Sequence, residues 1–235
     1  MASLQEQLEK YTGAFIKSSL DAGALKFGSF TLKSGRQSPY FFNSGMLNTG
    51  SSIATLASAY AALIQLHFPP PSFDVLFGPA YKGIPLGAAT SVALYNTFGT
   101  SVGFAYNRKE AKDHGEGGWH VGADVKGKKV LILDDVFTSG MAIRQVAQGI
   151  REAGGTIVGV VLCLDRQEIG KEGEVESAKT ALVRDLGGAE VYAVLTINEL
   201  ITYLEKEGRS DEVAQMKAYR EKYGIKQPQC KDRVY

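Results

Sequence analysis

The chain lacks most of the features that would place it in a specialised class. Only two of its 235 residues are cysteine, Cys163 and Cys230. They lie far apart, Cys163 inside an apolar run, so they read as free thiols, a lone bridge between them being the alternative. No apolar run approaches the ~20 residues that a membrane-spanning helix needs. Met1-Ala2-Ser3-Leu4-Gln5-Glu6-Gln7-Leu8 has neither the basic start nor the apolar stretch of a secretory signal. Charge of one sign is also missing: 26 Lys and Arg stand against 25 Asp and Glu. That balance gives no global attraction to nucleic acid or to an anionic surface. No Gly-Lys-Ser/Thr follows a glycine turn, and no G-x-G-x-x-G follows a candidate strand, so neither a Walker A loop nor a dinucleotide fingerprint is present. The expectation is a cytoplasmic protein with no nucleic-acid and no membrane partner.

What is present is ordinary in amount and informative in order. The length suits one domain with a sizeable core. Leu8, Tyr11, Phe15, Ile16 and Leu20 space an amphipathic helix over Leu4 to Ala22, ended by Gly23. Ala24–Phe27 and Ser29–Leu32 read as short strands flanking Gly28, and a second helix runs from Ser52 to His67, before Pro69-Pro70-Pro71. Strands then alternate with helices. Strands are expected at Phe73–Phe77, Ser101–Tyr106, Lys128–Leu133, Thr156–Leu164 and Val191–Leu195. Helices are expected at Ile84–Tyr95, Met141–Ala153, Ser177–Leu186, Asn198–Glu207 and Asp211–Tyr223. This rhythm predicts an α/β fold with a parallel sheet covered on both faces. The first seventy residues break the rhythm and read as a small cap beside the sheet.

Val130-Leu131-Ile132-Leu133 runs straight into Asp134-Asp135-Val136-Phe137-Thr138-Ser139-Gly140. Four apolar residues make a buried strand, and ligands of open α/β sheets sit beyond the carboxyl ends of the strands. Thr138, Ser139 and Gly140 could wrap hydroxyls and N–H groups around a phosphate at the next helix's start. The two acids would repel that phosphate, which leaves ribose hydroxyls or a hydrated metal ion as their partners. The competing reading is a solvated strand end with Thr138 or Ser139 as a helix cap.

Three further segments carry chemistry. The connection Asn107-Arg108-Lys109-Glu110-Ala111-Lys112-Asp113-His114-Gly115-Glu116-Gly117-Gly118 is charged and glycine-rich, and structureless connections of this length tend to be functional or disordered. Its cations suit a polyphosphate and its glycines suit a mobile lid; a hairpin with solvated charges fits equally. Gly78-Pro79-Ala80-Tyr81-Lys82-Gly83-Ile84-Pro85 is a small-residue turn into a helix, where Lys82 could meet an anion, or an ordinary tight connection. Arg166 ends another strand and could grip a planar carboxylate, or pair with Asp165 or Glu168. In the cap, Lys33 and Arg36 read as surface charges, and Phe41-Phe42 as core or as a stacking platform.

In order and with matching spacing, five segments resemble orotate phosphoribosyltransferase over nearly the whole length. They are Phe30-Thr31-Leu32-Lys33-Ser34-Gly35-Arg36, Tyr40-Phe41-Phe42-Asn43, Gly78 through Pro85, Arg108 through Gly115, and Leu133-Asp134-Asp135-Val136. The acidic turn alone carries only the wider type I phosphoribosyltransferase fold; the lid and the Phe41-Phe42 hood narrow it. The resemblance implies a central, mostly parallel sheet with helices on both faces and a small N-terminal hood. Residues 1–70 would form the N-terminal helices and hood, 71–224 the transferase core and 225–235 a polar tail, all within one structural domain.

It also implies a reaction. Orotate and phosphoribosyl pyrophosphate (PRPP) would give orotidine 5′-monophosphate and pyrophosphate, with Mg²⁺ held mainly through PRPP and water near Asp134 and Asp135. Lys112, Asp134, Asp135, Arg108 and His114 would be catalytic. The turn Asp134, Asp135, Val136, Phe137, Thr138, Ser139, Gly140, Met141 and Ala142 would hold the ribose 5-phosphate, and its acids the ribose hydroxyls. Ala80, Tyr81 and Lys82 would bind pyrophosphate, with the Ala80–Tyr81 peptide cis, and Lys33 would touch the donor. Arg108, Lys109, Lys112 and His114 would close over the leaving group, partly across a homodimer interface. Phe41 and Phe42 would flank orotate, Thr138 would line its pocket and Arg166 would hold its carboxylate. One position departs from the family: Met141 stands where Thr is common.

Two rivals fit less well. A purine phosphoribosyltransferase leaves Arg166 and the Phe41-Phe42 hood without a purpose. A donor-sensing regulator on the same fold needs no basic lid and usually carries a DNA-binding appendage, for which no basic segment is present.

Overall fold

Reciprocal caps set the first boundaries. Ser3 Oγ accepts from the Glu6 N–H while Glu6 accepts from the Ser3 N–H at 2.7 Å, a capping box that opens α1 (Leu4–Asp21). Helix α1 buries Thr12, Phe15, Ile16 and Ser19, the one-sided spacing of a surface helix. The computed structural model describes residues 3–32, 35–112, 118–136, 140–169 and 178–225. A two-stranded antiparallel hairpin follows, β1 (Leu25–Thr31) with β2 (Gln37–Phe42), then a single 3-10 turn at Ser44–Met46. Helix α2 (Gly50–His67) opens on a second capping box, Thr49 with Ser52, and stops before the prolines. Its sides are apolar nearly all round, as a fully buried helix requires: Leu56, Tyr60, Leu63 and Ile64 lie in the core with alanines between them.

The rest alternates: β3 (Val75–Phe77), α3 (Gly83–Phe98), β4 (Gly103–Lys112), β5 (Gly118–Gly122), β6 (Lys129–Val136), α4 (Met141–Glu152), β7 (Thr156–Asp165), α5 (Ala178–Asp185), β8 (Glu190–Thr196), α6 (Ile197–Lys206) and α7 (Ser210–Tyr223). Six strands form one sheet in the order β5-β4-β3-β6-β7-β8, parallel except for β5. Pleat parity sorts β6 between two cores. Val130 and Ile132 meet α4 and α5 through Ile143, Val146, Ile150 and Leu182, while Leu131 and Leu133 join the cluster of α1, α2, α6 and α7. The result is a central, mostly parallel sheet with helices on both faces.

Strand order locates the ligand edge. Among the parallel strands the spatial order is β4-β3-β6-β7-β8, so the chain winds outward in opposite directions from β3 and from β6. Their carboxyl ends flank the topological switch point, where open α/β sheets bind ligands.

Several boundaries differ from the sequence expectation. The paired strands around Gly28 are one strand with a register slip between Phe27 and Phe30. Strand β2 was not anticipated, while β5 matches the hairpin alternative for the 107–118 connection. The charged 107–118 connection is no structureless loop over its described part: β4 continues to Lys112 and β5 pairs back through Ala105–Gly122 and Asn107–His120. At this sheet edge the charged residues from Arg108 to Lys112 carry no apolar alternation, and the hairpin's apolar contact comes from Trp119, which stacks on Phe77 at 5.4 Å. The acids lie within β6, not beyond it. The cap and the sheet share one apolar cluster that joins Phe15 and Tyr40 to Leu131 and Leu200. Cys163 is a buried free thiol in that cluster; Cys230 and residues 226–235 of the tail lie outside the described residues.

Candidate active site

Two turns form the site at the switch point. The turn from Gly78 to Gly83 folds tightly: a side chain at Gly78 would run into the Gly83 carbonyl. A Cβ on Gly83 would lie 2.8 Å from Pro79 Cδ and 3.0 Å from the Leu133 carbonyl oxygen. Both positions therefore require glycine, because the turn packs on itself and on the end of β6. The Ala80–Tyr81 peptide is cis, and the Ala80 N–H donates to Asn107 Oδ1 at 2.9 Å. Asn107, on β4, thus pins the turn from the neighbouring strand. Tyr81 and Lys82 stand exposed at the start of α3.

The second turn follows β6. The Tyr60 hydroxyl donates to the Asp134 carbonyl at 2.7 Å, tying the strand end to α2. Asp134 Oδ1 accepts from the Asp135 N–H at 2.9 Å. Burial, above all, pushes the Asp134 carboxyl up to about 6, and the neighbouring Asp135 charge adds to that. Asp135 faces elsewhere: its Oδ2 accepts from Ser44 Oγ at 2.6 Å and from Lys82 Nζ at 2.8 Å, while Lys82 also donates to Ser44 Oγ at 3.0 Å. Gly140, left-handed at φ 68°, is the N-cap of α4 and has no side chain to satisfy the first-turn N–H groups. Helix α3 likewise starts without a side-chain cap. Two helix N-termini, each with a partial positive charge, therefore open on the same sheet edge; α4 offers first-turn N–H donors, whereas in α3 the Gly83 N–H donates to the Pro79 carbonyl at 2.9 Å, the Ile84 N–H to the Tyr81 carbonyl at 3.3 Å, and Pro85 has none.

A crevice of about 610 Å³ joins these parts. Ala80, Asn107, Arg108, Asp134, Gly140 and Met141 line it, with Val136, Ala142 and Trp119. Lys82 and Asp135 stand outside its lining. A cavity of similar volume, about 620 Å³, lies at the opposite sheet edge around Asp74, Gly103 and Lys128. Size does not separate the two; strand direction does, and it favours the carboxyl edge.

The remaining expected residues fare unevenly. Arg108 reaches across its hairpin, with Nη1 donating to the Gly118 carbonyl at 3.2 Å. Lys33, His114, Phe137, Thr138 and Ser139 lie outside the described residues, and so do the side chains of Lys109 and Lys112. Phe41 is exposed, its ring 5.6 Å from that of Phe30. Phe42 needs a correction: it points into the core, edge-on to Phe15 at 6.2 Å, so its ring cannot flank a base beside Phe41. Adjacent strand residues face opposite ways, and β2 turns Ser38, Tyr40 and Phe42 inward. Arg166 touches that inner face, opposite Phe41, and is paired with Glu168 at 2.6 Å. Ser44, Tyr60 and Asn107 were missed because their partners lie 91, 74 and 27 residues away, with no local pattern to mark them.

With this geometry in view, the chain matches the phosphoribosyl transferase domain family over residues 46–183. It is 55% identical over 213 residues to an orotate phosphoribosyltransferase of Acinetobacter baumannii (strain ACICU), covering 90% of this chain and 95% of that protein. The chain belongs to the orotate phosphoribosyltransferase family. A Cronobacter sakazakii (strain ATCC BAA-894) orotate phosphoribosyltransferase is 49% identical over 220 residues, 93% of this chain and all of that one. The crystal structure of the Francisella tularensis enzyme of the same name superposes with a TM-score of 0.79 at 42% identity, covering 90% of this chain and 99% of that chain.

Proposed function

We propose that this chain transfers the phosphoribosyl group of PRPP to orotate, giving orotidine 5′-monophosphate and pyrophosphate in pyrimidine nucleotide biosynthesis. The observation that carries the reading is the pairing of two helix N-termini with an acid pair between them, in a family whose curated relatives are named for this reaction. The N-terminus of α4, entered through Gly140, Met141 and Ala142, receives the 5-phosphate. The turn Ala80-Tyr81-Lys82 receives the pyrophosphate at the start of α3. The acids between them meet the ribose. As the C1–oxygen bond breaks, its electron pair leaves with pyrophosphate and C1 becomes positive; Asp134 and Asp135 stabilise that charge. An orotate ring nitrogen then bonds to C1, and its proton passes to the departing pyrophosphate. Arg108, on the hairpin of β4 and β5, would close over the leaving group together with Lys109, Lys112 and His114, which follow it in sequence, and keep water from the reactive ribosyl centre.

Magnesium fits as a substrate-borne ion. Among the described residues no cluster of three or more His, Cys, Asp or Glu side chains could cage a metal, and Asp135 is shared with Lys82. Mg²⁺ commonly takes one or two carboxylates, waters and substrate phosphates, which is what Asp134 and Asp135 beside PRPP would offer. When bound, it neutralises charge on the departing pyrophosphate.

Helix α3 supports self-association. Val92 and Tyr95, three residues apart, are 59% and 62% exposed, and Pro85 and Ala88 continue the same face toward exposed Tyr81. A homodimer through this face would place the partner near the pyrophosphate turn. None of the described helices is long and apolar enough to cross a membrane, which agrees with a cytoplasmic enzyme.

The test follows orotate absorbance with purified protein, PRPP and Mg²⁺, with adenine, hypoxanthine and uracil as parallel acceptors. Orotate consumption that requires both donor and metal supports the reading. Turnover of a purine or of uracil instead overturns the base assignment and keeps the donor site. Donor binding without any turnover moves the protein to a sensing role.

A further inference from the structure

Around Arg166 the protein is built with more care than a surface arginine needs. Arg166 and Glu168 side chains are each only 14% exposed. The Arg166 guanidinium is fixed on several sides. Its Nε donates to Glu168 Oε1 at 2.6 Å, its Nη2 donates to Ser38 Oγ at 2.9 Å, and its carbon lies 4.2 Å from the Tyr40 ring centroid. The Tyr219 hydroxyl, from α7, donates to the same Glu168 Oε1 at 3.0 Å and sits 3.5 Å from Arg166 Nη2. Glu168 Oε2 takes a third donor, Arg36 Nη1 at 3.3 Å. Among the described residues Nη1 of Arg166 makes no hydrogen bond.

The backbone repeats the arrangement. The Ile169 N–H donates to the Tyr223 carbonyl at 2.9 Å and the Ile225 N–H to the Gln167 carbonyl at 3.0 Å, with Glu168 bridged to Gly224. Residues 166–169 are therefore clasped by the end of α7. Gln167 sits at a left-handed φ of 51°, a conformation that a non-glycine residue holds only when its surroundings impose it. None of these partners is needed to build the sheet, since β7 has already ended at Asp165.

We propose that Glu168 and Tyr219 are positioning residues for base selection: with the end of α7 they lock Arg166 so that its Nη1 corner is presented to the carboxylate of the acidic base. The proposal rests on the reading of Arg166 as the orotate-carboxylate ligand. A fixed guanidinium loses little freedom on binding, and planar recognition of a carboxylate is sensitive to its orientation. Glu168 orients without competing, because it occupies Nε and leaves the far corner open. Specificity for an acidic base is thereby made to depend on a C-terminal helix that need not touch the base.

The test is a set of steady-state measurements on full-length protein carrying Glu168→Gln, Tyr219→Phe, Arg166→Ala and the two combinations with Arg166→Ala. In the otherwise wild-type chain, each positioning variant should raise the orotate KM about 5- to 30-fold, the size of one or two lost hydrogen bonds near a charge, with kcat and the PRPP KM within about 2-fold. In the Arg166→Ala background the same changes should move the orotate KM by less than about 2-fold, since residues that act through one group are not additive. Equal effects in both backgrounds, a parallel rise in the PRPP KM, or no effect in the wild-type background would overturn the positioning role. An Arg166→Ala enzyme with an unchanged orotate KM would instead remove the reading of Arg166 itself. Tyr219→Phe deletes a single hydroxyl, so it keeps the test decisive even where Glu168→Gln fails to fold.

Discussion

Lys82 Nζ lies 2.8 Å from Asp135 Oδ2, so the turn after β3 is held to the end of β6 across the switch point. Ser44 hydrogen-bonds to both partners, which brings the hood into the same contact. Each member of the pair is assigned to a different part of PRPP, so the pair must open as the donor enters. On the proposed reading, Lys82 would exchange a carboxylate for pyrophosphate, and Asp135 would turn from the ammonium to the ribose hydroxyls, where it could also help hold Mg²⁺.

Lys82→Ala should therefore act on catalysis much more than on folding. The lysine is 55% exposed, and exposed pairs contribute about 1 kcal/mol or less to stability. The loss of one preorganised cation at the leaving group should lower kcat/KM for PRPP by about 10²–10³. Steady-state kinetics beside a thermal melt check this, and a variant that melts early while retaining kcat/KM would reverse the assignment.

Asp134 should titrate near pH 6 in the free protein. Its folded value lies above the ordinary carboxylate value of about 4, so the folded state holds the proton more tightly than the unfolded chain. The resulting contribution to stability is full below about pH 4 and is lost as pH rises through about 6. The carboxyl carbon resonance of Asp134, assigned by comparison with Asp134→Asn, measures the midpoint directly. A midpoint near 4 would mean that burial does not govern this group.

His67 works in the opposite sense. Burial lowers its pKa, and its ring stacks on Tyr192 at 3.7 Å between centroids. The unfolded chain binds the proton more readily, so this contribution is present above the ordinary histidine value of about 6.5 and is lost as pH falls through the folded value. Replacing His67 with Phe keeps the stacked ring and removes the titration. The difference in unfolding free energy between wild type and His67→Phe should shift toward the variant as pH falls from 7.5 to 5, and a constant difference would contradict the assignment.

Met141 lines the crevice at the first position of α4, where a hydroxyl would reach an anion bound at the helix start. Met141→Thr should lower the PRPP KM about tenfold, the worth of a hydrogen bond to a charged acceptor. An unchanged KM would mean that the backbone N–H groups already saturate the 5-phosphate.

Much of this was legible in the sequence because the decisive signals are local. The buried run Val130–Leu133 ending in two acids announces a sheet's ligand edge, and alternating strands and helices announce parallel topology. Two kinds of feature escaped. Strand β2 lies outside the main sheet, held to β1 by ladder hydrogen bonds that most backbones can make. Partners of the site such as Ser44 and Tyr60 are defined only once distant segments meet, and neither carries a motif. Phe42 is a different case: pleat parity alone shows that two neighbouring rings cannot face one ligand.

The proposed function requires that the crevice between the turns after β3 and β6 transfer phosphoribosyl to orotate and not hydrolyse the donor. Phosphorus NMR of a mixture of protein, PRPP, Mg²⁺ and orotate tests this most directly. Pyrophosphate and a nucleotide 5′-monophosphate should appear in equal amounts, and only when orotate is present. Ribose 5-phosphate and pyrophosphate forming at the same rate without orotate would contradict it.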